Sequence, residues 1–174
     1  MKNQVWHIVW NTHGIRPPQH GRGDWARLST FYSPIIAQGS VVVSHALQSR
    51  YSGHVSESVL LSEAELAQLC EWLLELTKED GDRVAGGHQV LAAAFSPTQA
   101  HIFFYCDRES LSQVVGRLKS RLAALMLFSD QRRMKKRNIW SRGFWTAEIL
   151  EDNVVARVRT FVLGLEGTVC GNLS

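Results

Sequence analysis

Cysteine, tyrosine and long apolar runs are scarce in this chain. The three cysteines among its 174 residues, Cys70, Cys106 and Cys170, are odd in number and far apart. They form no CxxC pair, which excludes a zinc site of that type, and their expected state is the reduced thiol of a cytoplasmic protein. No run of about 18 apolar residues occurs, so no membrane span and no membrane partner is expected. The first residues, Met1-Lys2-Asn3-Gln4-Val5-Trp6-His7, contain no apolar signal core, which argues for a cytoplasmic rather than a secreted protein. Internal repeats and low-complexity segments are absent. The only tyrosines are Tyr32, Tyr51 and Tyr105, so none follows residue 105.

What is present is an ordinary globular composition, 45% hydrophobic and 20% charged. The length predicts one domain over residues 1–174 with room for a normal core. The net charge of +3 hides an asymmetry. Residues 1–106 carry 7 basic and 9 acidic side chains, whereas residues 108–142 carry 10 basic and 2 acidic. A concentrated basic surface points to a polyanion, nucleic acid first.

Val5-Trp6-His7-Ile8-Val9-Trp10 is β-branched and aromatic and predicts a strand. Gly14, Pro17, Pro18, Gly21 and Gly23 then mark a loop. Ser40 to Ser44 reads either as a short strand or as a helix end. Ser62-Glu63-Ala64-Glu65 is a capping box opening a helix through Leu66, Leu69, Trp72, Leu73 and Leu76. Residues 88–95 and 100–105 predict two strands joined by a tight turn. A second capping-box pattern at Ser110 and Gln113 opens a helix along Val114, Val115, Leu118 and Leu122. Residues 140–150 look extended, and Val154, Val158, Phe161 and Val162 stripe a final helix. This order gives an α+β sandwich, an antiparallel sheet with helices packed on one face.

Several segments carry a family likeness. Trp6-His7-Ile8-Val9-Trp10-Asn11-Thr12-His13-Gly14 resembles the first strand of the HUH-type single-tyrosine transposases, especially the REP-associated branch. Gly21-Arg22-Gly23-Asp24 is similar to the loop that follows it there. Leu91 to Phe104 resembles the hairpin of the His-hydrophobic-His motif, and Val114 to Arg121 a helix of that family. Asn138 to Gly143 and Glu148 to Gly164 resemble its closing strand and tyrosine helix. The likeness spans most of the chain and is weakest over residues 25–60. It implies a ferredoxin-like fold, a homodimer, and recognition of single-stranded or hairpin DNA. It also implies a reaction in which tyrosine attacks a DNA phosphate with help from Mg²⁺ or Mn²⁺.

That chemistry needs groups which this chain has partly replaced. Two His two apart on a strand share a face and can hold one cation, which polarises the phosphate. Gln99 stands at the first His position and His101 at the second. Phe161 stands at the position of the nucleophilic tyrosine, and phenylalanine has no hydroxyl with which to form a phosphotyrosine. Leu165, one turn on, cannot ligate a metal, and the adjacent Glu166 lies about 100° round the helix. The expectation is a DNA-binding relative in which strand cleavage is lost. An active nickase with a rearranged centre of Gln99, His101 and Glu166, and a dimeric interaction module without DNA, remain as alternatives.

The cations expected at DNA are Arg117, Lys119, Arg121, Arg132, Arg133, Lys135, Lys136, Arg137 and Arg142. Trp140, Phe144 and Trp145 interleave with them and suit either base stacking or packing. His7, His13, His20, His45, His54 and His88 show no compact metal-ligand spacing.

Overall fold

The computed structural model describes residues 4–13, 24–46, 59–79, 89–106, 111–129, 138–165 and 168–170. The elements, in chain order, are β1 (Gln4–Asn11), α1 (Asp24–Ala37), β2 (Val41–Ala46), α2 (Glu63–Glu79), β3 (Val90–Phe95), β4 (Gln99–Cys106), α3 (Leu111–Ser129), β5 (Phe144–Ile149), α4 (Asp152–Leu163) and β6 (Thr168–Cys170). The six strands form one sheet in the order β2-β5-β1-β4-β3-β6, antiparallel throughout. This is the α+β antiparallel sandwich that the element order predicts, consistent with a ferredoxin-like fold.

The helices cover both faces of the sheet rather than one. Trp10, Ile8, Phe104, Ile102 and Ala100 pack with Leu66, Leu69 and Leu73 of α2 and Val115, Leu118 and Leu122 of α3. On the other face Val5, Val9, Phe103, Trp145 and Ala147 pack with Leu28, Tyr32 and Ile35 of α1 and Val154, Val158 and Val162 of α4. The physical reason is legible in β1. Alternate residues point to opposite faces, Ile8 and Trp10 to one and Val5 and Val9 to the other, so each face carries large apolar side chains that need cover.

Local signals set the element ends. Ser62 and Glu65 close the expected capping box: the Ser62 amide donates to Glu65 Oε2 at 2.7 Å, and the Glu65 amide to Ser62 Oγ at 3.3 Å. The second capping box begins at Ser110, which lies outside the described residues, as do the loop at 14–23 and the segment 130–137. Helix α1 has no counterpart in the sequence reading, because Pro34 interrupts it and removes one amide donor. It ends in a Schellman motif. Gly39, at φ 73°, donates to Ile36 O at 2.9 Å and Ser40 donates to Ile35 O at 3.3 Å. The ambiguous stretch at Ser40 to Ser44 is largely strand β2, antiparallel to β5.

Two of the three cysteines depart from the expected reduced thiols. Cys70 and Cys170 form a disulfide across 100 residues of sequence. They meet because α2 packs beside β6, the edge strand paired to β3, and both are buried. Among the described residues no helix is long and apolar enough to cross a membrane.

Candidate functional site

The face of the sheet beneath α1 and α4 holds a continuous line of polar side chains. Strand alternation sets His7 and Asn11 of β1 and Gln99 and His101 of β4 on this side. The antiparallel register pairs Asn11 with Gln99 and Val9 with His101, which leaves His7 diagonally beside His101. Tyr32 of α1 comes down onto His7. All five are buried, with Gln99 3% and His101 2% exposed.

The contacts run in one direction. Gln99 Nε2 donates to Asn11 Oδ1 at 3.0 Å, which turns Gln99 Oε1 toward His101 Nε2 at 3.3 Å. An amide oxygen only accepts, so His101 carries its proton on Nε2 and its Nδ1 is an acceptor. His7 Nε2 lies 3.2 Å from that Nδ1 and therefore donates to it. His7 Nδ1 is then the acceptor for the Tyr32 hydroxyl at 2.8 Å. This assignment leaves both rings neutral, and every ring nitrogen has a partner.

The surroundings favour that neutral state. Rings of Tyr32, Trp145, Phe161 and Phe103 lie within 5.8–6.5 Å of His7, centroid to centroid. Burial holds His7 well below the usual histidine range, and the His101 imidazole adds to this. Burial alone takes His101 down to about 3. Tyr32 is raised above the usual phenol range by the same desolvation.

Gln99, His101 and Phe161 thus lie on one face of the sheet. The group between them is His7, a residue with no compact metal-ligand spacing in the sequence. Phe161 meets His7 edge-on and stacks on Phe31 at 4.2 Å with 16° between the rings. Leu165 is buried in the same core, and Glu166 lies outside the described residues. The one available clue was the placing of two polar residues, His7 and Asn11, four apart on the same face of an otherwise apolar strand.

The donor set does not fit Mg²⁺ or Mn²⁺. These ions take hard oxygen ligands, carboxylates above all, and a buried double charge needs compensation. Among the described residues no group of three His, Cys, Asp or Glu lies together. Both nitrogens of His101 are already matched by protein partners.

The expected DNA-contacting cations separate into three groups. Arg117 and Arg121 stand one turn apart on the exposed side of α3, and Arg142 is exposed before β5. Lys119 is turned inward. Its Nζ donates to Ser141 O at 2.6 Å and Gly143 O at 3.0 Å, and lies 5.9 Å from the Trp10 ring centre. Gly143 takes φ 80°, a conformation that suits glycine, to present that carbonyl. Burial lowers the Lys119 ammonium to about 8. Arg132, Arg133, Lys135, Lys136 and Arg137 lie outside the described residues. Trp140 and Trp145 are buried and so serve packing: Trp140 meets Trp10 edge to face at 5.9 Å, and Trp145 closes over His7 and Tyr32.

Comparison with known proteins gives little beyond this geometry. No protein-family model matches the chain, and no curated protein matches it. A crystal structure from Deinococcus radiodurans R1, of a protein provisionally identified as a transposase, is similar to it with TM-score 0.47 and 12% identity. The match covers 93% of this chain and 90% of that one.

Proposed function

We propose that this protein binds DNA, single-stranded or hairpin, and does not cut it. In this reading the ancestral strand-transfer centre has become a closed core network. The observation that carries it is the state of the three positions to which the family likeness assigns chemistry. Gln99 and His101 are buried and hydrogen-bonded within the protein, and Phe161 brings a ring without a hydroxyl. A buried, neutral and fully partnered imidazole has no lone pair to offer a cation. The Tyr32 hydroxyl is committed to His7 and is buried. Its raised pKa makes it a poor source of phenolate.

Support for DNA as the partner comes from charge. The 10 basic against 2 acidic residues of segment 108–142 include Arg117, Arg121 and Arg142 on the α3 side. Helix α3 and the Gln99–His101 pair lie against opposite faces of the sheet. DNA held along α3 would therefore lie on the face opposite that pair.

A gel-shift titration across salt, together with a nicking assay, tests both halves. Affinity for hairpin DNA should fall about tenfold or more between about 50 and about 200 mM salt, since arginine–phosphate contacts release counterions. With Mn²⁺, neither the native protein nor Phe161→Tyr should give a covalent adduct, because the tyrosine alone supplies no metal site. Salt-insensitive or absent binding refutes the first half, and an adduct refutes the second.

A further inference from the structure

The face bearing α1 and α4 carries a second feature, and it reaches the surface. Phe31 and Phe161 stack face to face at 4.2 Å, and both are partly exposed. Tyr32 meets Phe31 at 5.0 Å in a T-shaped contact, and His7 meets Phe161 at 6.2 Å. The pair thus rests on the buried polar line of the sheet and helices rather than on loops. Arg27 precedes Phe31 by four residues on α1, and Arg157 precedes Phe161 by four on α4. Residues four apart share a helix face, and both arginines are exposed. Each ring of the stack therefore has a guanidinium one turn away.

We propose that the Phe31–Phe161 stack is a platform for an unpaired base of single-stranded DNA, with Arg27 and Arg157 taking the flanking phosphates. This rests on the reading of the protein as a DNA binder and adds a subsite on the sheet face opposite α3. Aromatic side chains set among cations match the two repeating parts of a single strand, the π-face of a base and the charged backbone. A duplex offers no free base face, so the platform selects single strands. Phenylalanine at the tyrosine position then has a use: it replaces a covalent bond to the strand by stacking.

The test pairs affinity with crosslinking. A single-stranded oligonucleotide carrying one 5-iodouracil is irradiated with the protein, and the adducted peptide is mapped by mass spectrometry. The expected adduct falls on the peptide containing Phe31 or Phe161. Phe31→Leu and Phe161→Leu should weaken single-strand binding by about 5- to 100-fold, the range of one lost base stack. They should leave duplex binding unchanged. Phe161→Tyr, which keeps the ring, should retain affinity within about threefold. Should the leucine variants fold poorly, two other probes read the same contact: the surface variants Arg27→Ala and Arg157→Ala, and an abasic nucleotide at the crosslinked position. Each should lower single-strand affinity alone.

Wild-type affinity for single strands in the leucine variants, with unchanged melting temperature, overturns the platform. Adducts confined to other peptides also overturn it, as does tighter binding of an RNA of the same sequence. If the native protein binds no DNA of any form, the reading under Proposed function fails first. If it binds duplex or hairpin stems and ignores single strands, only the platform fails.

Discussion

His7 Nε2 donates a hydrogen bond to His101 Nδ1 across 3.2 Å, between residues 94 apart in sequence. Both imidazoles are buried and neutral, although the unfolded chain would titrate them near pH 6.5. Because the folded pKa values lie below the unfolded ones, the native state binds fewer protons in that window.

Stability is therefore complete above about pH 6.5 and declines as pH falls toward the His101 value of about 3. The slope should approach about 1.4 kcal/mol per pH unit for each histidine. Urea unfolding at about pH 7.5 and about pH 5 should differ by about 2–4 kcal/mol. An unchanged midpoint would show that the pair does not stay neutral in the core.

Tyr32→Phe removes only the hydroxyl that donates to His7 Nδ1 at 2.8 Å. The ring packing against Trp145 and Phe31 is kept, so the loss is that of one buried acceptor's partner. The expected cost is about 1–3 kcal/mol in chemical denaturation. A variant as stable as the native protein would show that this hydroxyl is not the partner of His7.

Lys119 and Arg121 should separate in their effects. Lys119→Met removes the donor to Ser141 O and Gly143 O, leaving part-buried carbonyls short of a partner, and should cost about 1–2 kcal/mol of stability. Arg121→Ala should cost less stability than Lys119→Met and reduce the salt dependence of DNA binding by about one contact. Paired thermal melts and salt titrations check both. The reverse pattern would place the phosphate contact on Lys119.

The Cys70–Cys170 disulfide closes a loop of about 100 residues between α2 and β6. In the chain-entropy account a loop of that length contributes about 4–5 kcal/mol through the unfolded state. Unfolding with and without reductant, and of the double variant Cys70→Ala with Cys170→Ala, should show a loss of this order. No difference would mean that the two thiols are not bridged.

Much of the architecture was legible locally. The β-branched and aromatic run of β1, the Ser62–Glu65 capping box and the valine stripe of α4 each declare their element through nearest-neighbour physics. Helix α1 was hidden because Pro34 breaks its pattern, and β6 because three residues carry no period. The cover on both sheet faces was present in β1, where Trp6, Ile8 and Trp10 alternate with Val5 and Val9. A strand with large apolar side chains on both faces shows no simple alternation of apolar and polar residues.

The sequence by itself determined which groups stand at these positions: an amide at Gln99, a ring without a hydroxyl at Phe161 and an alkyl chain at Leu165. Those are matters of covalent identity, and no fold restores an absent hydroxyl. Only the tertiary structure decided what the remaining groups do. Cross-strand register put His7 beside His101, α1 brought Tyr32 to close the line, and α3 turned Lys119 inward while Arg117 and Arg121 face out. Such pairings join residues 22 to 94 positions apart. They depend on strand order and helix docking, which local sequence patterns do not encode.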